Sequence, residues 1–494
     1  MTRRPVLAVL LLGVIIIASL SFYEIYYAKP PSCQVNPAGS VIKSQTEKVQ
    51  FGAVTEYNLP GPNRWPNAVT SAPDGSVWFA EEGVPGTAHF FPVNGTVVEY
   101  AWPGHSAPKL PYCSPTASSS GIVLWNGRAW TSDQYGNSLV GISPIGGTPV
   151  FVNTTGTANS PYWLAVGPEG SLWFTSLDTP AKLGRIAPDM TLTIVNLAGL
   201  GHDEPFQLDF VNSSLAYLST LNEFPNSTTH ACTCNGHIYT FDPSSPSTTI
   251  TPARVGGGYE LVLPTSVRYS SGSLWVTQHG ASSIVRYDLI AKSWTKYPTS
   301  TVPWSGTTLP LVIEGSQGKI WFNEHYANKI SLLDPGAGTL TEYSESNPPA
   351  SNYTDIQNDL SIAATGGGLW FTSLSGNYLG FVSSSYDPGV HVSVSGTNAA
   401  AIPPGGSASF ELNVTGNWSG PVKVTASDSE DSSSKPNLIQ IIPSVSAIPV
   451  GGSPYSLGLR LVADQKTQAG SYTVGVTLTN GGVQQTAYFF IVVK

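Results

Sequence analysis

At 494 residues the chain exceeds one small domain and has room for two or three. Hydrophobic residues make up 41% and mean hydropathy is +0.01, which excludes a disordered chain, while charged residues make up only 11%. A net charge of −9 without any basic run argues against a nucleic-acid partner, and 13 Trp and 22 Tyr against 2 Met point to turn-rich β-structure.

Arg3 and Arg4 precede an uninterrupted apolar run over residues 6–22, VLAVLLLGVIIIASLSF. As a helix this run spans roughly 25 Å, near the lower limit for a bilayer core. Tyr23, Tyr26 and Tyr27 follow where an interfacial aromatic belt would sit, and the arginines favour an inside amino terminus with the rest exported. Residues 1–28 are therefore expected to be a transmembrane signal anchor and 29–50 a linker. A cleaved signal peptide is the rival reading, although no clear A-x-A site follows the run. Export agrees with sequons at Asn94, Asn153, Asn212, Asn226, Asn352, Asn413 and Asn417. It also agrees with Cys33, Cys113, Cys232 and Cys234, which allow two disulfides in three connectivities. The expected location is the cell membrane, single-pass, with the bulk of the chain outside.

The middle of the chain repeats. Units beginning at Pro161, Pro264 and Pro310 each contain four short apolar or alternating runs separated by Gly, Pro, Asp or Ser, which read as four strands joined by tight turns. An aromatic marker recurs at Trp78, Trp130, Trp173, Trp275, Trp321 and Trp370, and Tyr217 fills the one missing place. Seven such units predict a seven-bladed β-propeller over residues 51–387. The seventh unit lacks a fourth strand, and the orphan AVTEYNL at residues 53–59 is expected to supply it and close the ring.

From about Gly389 the period stops. About seven runs of alternating pattern, from VHVSVSG to TAYFFIVVK, predict an immunoglobulin-like β-sandwich over residues 388–494 without a disulfide. The expected fold is thus all-β: one N-terminal transmembrane helix, a seven-bladed propeller and a sandwich.

The units resemble those of the streptogramin (virginiamycin B) lyase family of seven-bladed propellers. The likeness lies in PNAVTSAPDGSVWFAEE from Pro66, AKLGRI at 181–186 and LTEY at 340–343, and it covers about two thirds of the chain. The resemblance implies a propeller whose enzymes open a cyclic depsipeptide antibiotic by elimination, with a histidine base and a magnesium ion over the channel. The family's histidines stand in P-H-(A/G)-I segments. The matching positions here carry Asn67, Tyr162, Thr265 and Leu311, with Cys113 a further match if the second unit begins at Pro111. None can replace imidazole as a base near neutral pH without strong tuning. The resemblance therefore supports the scaffold and argues against the lyase chemistry.

Residues after the aromatic marker end the second strand and should reach one rim: Glu81 and Glu82, Asp133 and Gln134, Gln278 and His279, Glu324 and His325. His279, His325 and Glu82 could converge as a two-histidine, one-carboxylate divalent site, with Glu324 a further catalytic candidate, or all could simply cap strand ends. The segment THACTCNGH places His230, Cys232, Cys234 and His237 close together, which suits copper or zinc, although exported thiols should oxidise instead. The remaining expected rim contacts are Asn67, Glu81, Glu82, Asp133, Tyr162, Thr265 and Gln278.

The functional expectation is a membrane-anchored extracellular glycoprotein whose propeller binds a glycan, peptide or cell-envelope protein without catalysis. The alternative is an extracellular metal-assisted lyase or hydrolase using the rim His and Glu residues with Mg, Zn or another divalent ion; copper handling at His230–His237 is the third reading.

Overall fold

A computed structural model describes residues 36–494 except 105–118, 147, 223–234, 246, 301–307, 347–358, 418–421, 429–438 and 450–453. The expected N-terminal helix lies outside the described residues, as do all four cysteines. Among the described residues every regular element is a strand, and no helix is long and apolar enough to cross a membrane.

Seven four-stranded antiparallel blades form the first unit. Their inner strands are Pro66–Ser71, Ile122–Trp125, Pro161–Val166, Glu204–Asn212, Val267–Ser270, Pro310–Ser316 and Asp359–Thr365, for blades 1 to 7. The strand Val54–Asn58 pairs with Tyr378–Ser383 and forms the outer strand of blade 7, so the ring closes with an N-terminal segment as expected.

The repeated Trp-Phe dipeptide explains how the blades stack. Successive side chains point to opposite faces of a strand. In each blade the marker ring packs forward: Trp78 of blade 1 onto Ile122 and Val140 of blade 2, and Trp173 of blade 3 onto Leu208 and Leu218 of blade 4. Tyr217 does the same for blade 4 against Val267 and Val276 of blade 5. The following Phe packs backward, Phe322 of blade 6 against Trp275 and Ile284 of blade 5, and Phe371 of blade 7 against Trp321 of blade 6. One apolar cluster fills each of the seven seams. Burying one such ring contributes roughly 5 kcal/mol of transfer free energy before entropy.

Two other repeat positions gain a structural reason. The glycine of the third strand lies under the phenylalanine of the second. A Cβ on Gly184 would stand 2.0 Å from the Phe174 ring, and one on Gly380 2.0 Å from Phe371. The polar residue two places after the marker ties blades together. Thr175, Ser219, Thr277 and Thr372 donate their hydroxyls to the carbonyls of Phe206, Thr265, Leu311 and Asn67 on the next inner strand, at 2.9, 3.2, 3.4 and 2.8 Å. Asn323 serves Asp359 in the same way.

The segment expected as a linker is partly sheet. Val41–Gln45 adds a fifth strand to blade 1, and Glu47–Phe51 a fifth strand to blade 7. Their side chains are exposed or half-buried, so they carried little apolar signal.

The second unit is a two-sheet β-sandwich. One sheet runs Val390–Val394, Ser407–Gly416, Tyr455–Ala463, Ile439–Pro443; the other runs Val483–Val493, Gly470–Asn480, Val422–Asp428, Ala447–Ile448. Ala399–Ile402 pairs in parallel with Val483–Val493. Leu412, Leu459, Val476 and Phe489 are among the residues of its core.

The two units share a sheet. Thr339–Ser344, the outer strand of blade 6, pairs with Val483–Val493 from Thr339↔Ala487 to Tyr343↔Val483. Along that strand Ala487, Phe489 and Ile491 enter the sandwich core, whereas Tyr488 and Phe490 pack on blades 5 and 6. Tyr488 is fully buried, and its hydroxyl donates to the Pro298 carbonyl.

Candidate functional site

Antiparallel pairing brings the start of each inner strand beside the end of its second strand, Pro66 against Glu81 and Pro310 against Glu324. The expected rim residues stand at such strand ends, and most are engaged within the scaffold. Asn67 is buried, and its Nδ2 donates to Glu82 Oε1 at 2.5 Å; the Ser119 amide donates to the same oxygen at 3.1 Å. Thr265 donates to the Leu311 carbonyl at 2.7 Å, and Leu311 itself is buried. Gln278 is fully buried, donating to Ser283 Oγ and accepting from the Val262 amide. Asp133 is buried and accepts from the Gly136 amide at 3.1 Å. Tyr162 is half-buried against Phe206, with ring centroids 4.5 Å apart.

Blades 5 and 6 bring two of the predicted residues into contact. The imidazoles of His279 and His325 stand edge to face, with centroids 5.1 Å apart. His279 Nδ1 lies 3.3 Å from the Pro310 carbonyl, which can only accept, so Nδ1 carries the proton in the neutral ring. Burial pushes His279 down to about 4 against the effect of that bond, and burial together with His279 holds His325 well below the usual histidine range. His325 Nδ1 is buried without a hydrogen-bond partner.

Glu324 does not join this pair. It turns into its own blade, where Ser331 donates to its Oε1. Burial and the Glu342 carboxylate push it up to about 8, with Lys329 opposing. Glu81 is the counterpart in blade 1: burial, then the neighbouring Glu99, raise it well above the usual range while Arg64 opposes. Arg64 Nε is 2.7 Å from Glu99 and 3.9 Å from Glu81. In both blades the acid ending the second strand faces the Glu of the outer T/V-E-Y strand.

The expected divalent triad of His279, His325 and Glu82 is corrected. Among the described residues no three His, Cys, Asp or Glu side chains are placed to hold a metal ion, and Glu82 is engaged by Asn67 and Ser119. Of the second cluster, His230, Cys232 and Cys234 lie outside the described residues. His237 is held through Nδ1 by Asp203 Oδ2 at 2.6 Å, an oxygen that also accepts from Thr220 and Tyr239.

A feature not anticipated from sequence lies deeper in the channel. Asp209, Arg268 and Glu314 occupy equivalent inner-strand positions on blades 4, 5 and 6, where blades 1, 2, 3 and 7 carry Thr70, Val123, Ala165 and Ala363. Arg268 pairs with Asp209 at 2.7 Å and with Glu314. Burial raises Glu314, with the Arg268 guanidinium opposing. The three line a cavity of ≈ 340 Å³ together with Trp163, whose side chain packs against the clusters of both the 3/4 and the 6/7 seam. The available signal was three charged residues inside strands whose neighbours are small or apolar.

Among the sequons, Asn94, Asn153, Asn212 and Asn417 are exposed and Asn413 is half-buried, while Asn226 and Asn352 lie outside the described residues. Asn94, Asn153 and Asn212 accept the amide two residues on at 3.0, 2.9 and 2.9 Å, an Asx turn that also favours this spacing.

Seven closed blades define the fold as a seven-bladed β-propeller. Among the solved structures it resembles are streptogramin B lyases. Virginiamycin B lyase from Staphylococcus aureus is 20% identical, with a TM-score of 0.51 over 67% of this chain and 98% of that one. A streptogramin B lyase structure is 20% identical with a TM-score of 0.50, over 66% and 96%. A catalytically inactive histidine-to-alanine variant of the S. aureus enzyme with quinupristin is 19% identical with a TM-score of 0.50, over 67% and 98%. At this identity the likeness is one of fold. No family model and no curated protein matches the sequence.

Proposed function

We propose that this chain is a membrane-anchored surface glycoprotein whose propeller binds a glycan, peptide or neighbouring envelope protein without catalysis. The observation that carries the reading is the chemistry of the inner-strand starts. Asn67 and Thr265 have their polar atoms engaged by the scaffold, Leu311 has none, and Tyr162 offers an aromatic surface beside Phe206. A base for elimination would have to stand there, and none of these side chains is one at neutral pH. Two half-buried aromatic rings at a mouth suit the apolar face of a sugar ring or a peptide side chain. The apolar run at 6–22 and the sequons support export and anchoring. The sandwich is read as immunoglobulin-like from its two facing sheets and its parallel edge pairing. Its shared sheet with blade 6 would hold the propeller at a fixed angle.

The test is binding of the immobilised exported region to glycan and peptide panels. Saturable binding that weakens at least about tenfold in Tyr162→Ala, with an unchanged melting curve, is expected. Absence of binding to every panel member counts against the reading.

The alternative, a metal-assisted lyase or hydrolase, draws on the paired imidazoles of His279 and His325, which burial keeps neutral and therefore able to ligate. Stoichiometric Mg, Mn or Zn in the purified protein, lost on His279→Ala, would favour it.

A further inference from the structure

Among the described residues no Lys, Arg or His pairs with the acids at the closing seam of the ring. Glu56 lies on the closing strand Val54–Asn58, Glu345 follows the outer strand of blade 6, and Asp359 opens the inner strand of blade 7. Glu345 and Asp359 are fully buried and Glu56 nearly so. The two other facing acid pairs each have a partner base, Arg64 beside Glu81 and Glu99, Lys329 beside Glu342.

What the seam offers instead is neutral or acidic. Tyr378 donates its hydroxyl to Glu345 Oε2, the Ser346 amide donates to Glu56 Oε1 at 2.9 Å, and Ser373 stands beside Asp359. Otherwise Glu345 Oε1 and both oxygens of Asp359 meet no donor. Strand pairing brings the two acids together: Asp359 pairs with Ser373 and Ser373 with Tyr378, whose hydroxyl reaches Glu345. Two ionised carboxylates only accept, so a bond between these orphaned oxygens requires that one of them carry a proton. A bound metal is the rival way to relieve the charge, but no three acids here are placed around a common point.

We propose that the propeller ring is latched by a proton shared between Glu345 and Asp359, so that the seam between blades 6 and 7 is tight in acid and loosens as the surroundings become alkaline. Burial raises both groups; Glu345 raises Asp359 further, whereas Asp359 and the Tyr378 hydroxyl oppose the rise of Glu345, and Glu56 raises both. Groups raised in the folded state contribute stability that is full below the ordinary carboxyl range and is lost as pH climbs through the raised values. Loss of the proton places two buried negative charges side by side, with Glu56 close by and Tyr378 unable to compensate. The closing strand, tied to this connection through Ser346 and Glu56, is the element that loosens.

Amide hydrogen exchange of the full chain tests this, read on residues 54–58 and 378–383 between pH 5 and 8 and corrected for the intrinsic rate. The local opening constant should rise by up to about tenfold per pH unit, as for one linked proton. In Glu345→Gln the amide replaces the proton as donor, and the slope should fall close to zero; Asp359→Asn gives the same test should the first variant not fold. Glu324→Gln, away from the seam, should leave the slope unchanged. A pH-independent opening in the unaltered protein, an unchanged slope in the foldable variants, or a chelator-induced opening would each overturn the proposal, the last in favour of a metal.

Discussion

The rings of His279 and His325 meet edge to face, 5.1 Å between centroids, on strands from two adjacent blades. Such contact leaves no room for two imidazolium charges. Both rings are held neutral in the fold, so their contribution to stability is full above the ordinary histidine range and is lost as pH falls, for His279 through about 4. Nuclear magnetic resonance titration should show both rings neutral at pH 5.5. His325→Asn should flatten the acid limb of the melting-temperature profile; an unchanged limb, or a ring titrating near 6.5, would contradict this.

Gly380 lies under Phe371 with no space for a methyl group. Gly380→Ala should therefore cost about 1–3 kcal/mol or more by overpacking. Phe371→Leu in the same chain should recover part of that loss, because the smaller side chain vacates the site. Urea denaturation of the two single variants and the double variant measures the coupling; strict additivity would show that the ring is not the obstacle.

Thr372 of blade 7 donates to the Asn67 carbonyl of blade 1 across a seam. Thr372→Val keeps the shape and strands a buried carbonyl, so a loss of about 1–3 kcal/mol is expected. Thr155→Val, at an exposed turn, should stay within about 0.5 kcal/mol. Equal effects from the two substitutions would mean that this hydroxyl does not tie blade 7 to blade 1.

Tyr488 belongs to the sandwich yet lies buried against Tyr297 of blade 5, centroids 5.4 Å apart. Ending the chain before residue 389 uncovers this apolar site and the edge of Thr339–Ser344. Unpaired, apolar strand edges template association. Light scattering on the shortened propeller should show oligomers or aggregates, and a stable monomer would mean that the sandwich is not required to cover blade 6.

Much of the fold was legible because the repeat encodes it twice, once in the period and once in the Trp-Phe alternation. Tyr217 could be placed by spacing alone, and the orphan 53–59 by counting strands. The shared sheet was not foreseen. Its signal was the unbroken apolar run AYFFIVV, which departs from one-sided alternation because Phe489 and Tyr488 are buried on opposite faces. The mouth was partly legible: His279 and His325 do meet, but Glu82 is captured by Asn67, and Gln278 serves a turn. Spacing places residues at strand ends without revealing which neighbour claims each polar atom. The Asp209–Arg268–Glu314 row was missed for the same reason, since ion pairs between blades join residues 46 to 59 positions apart.

The proposed reading is that the mouth of this propeller binds its ligand without catalysis, its inner strands starting with Asn67, Tyr162, Thr265 and Leu311. The most direct measurement incubates the purified protein with quinupristin and Mg²⁺ and follows ring opening by mass spectrometry. The account predicts intact cyclic depsipeptide at the rate of the buffer blank. Linear product formed faster than the blank, and abolished by His325→Ala or His279→Ala, would contradict it.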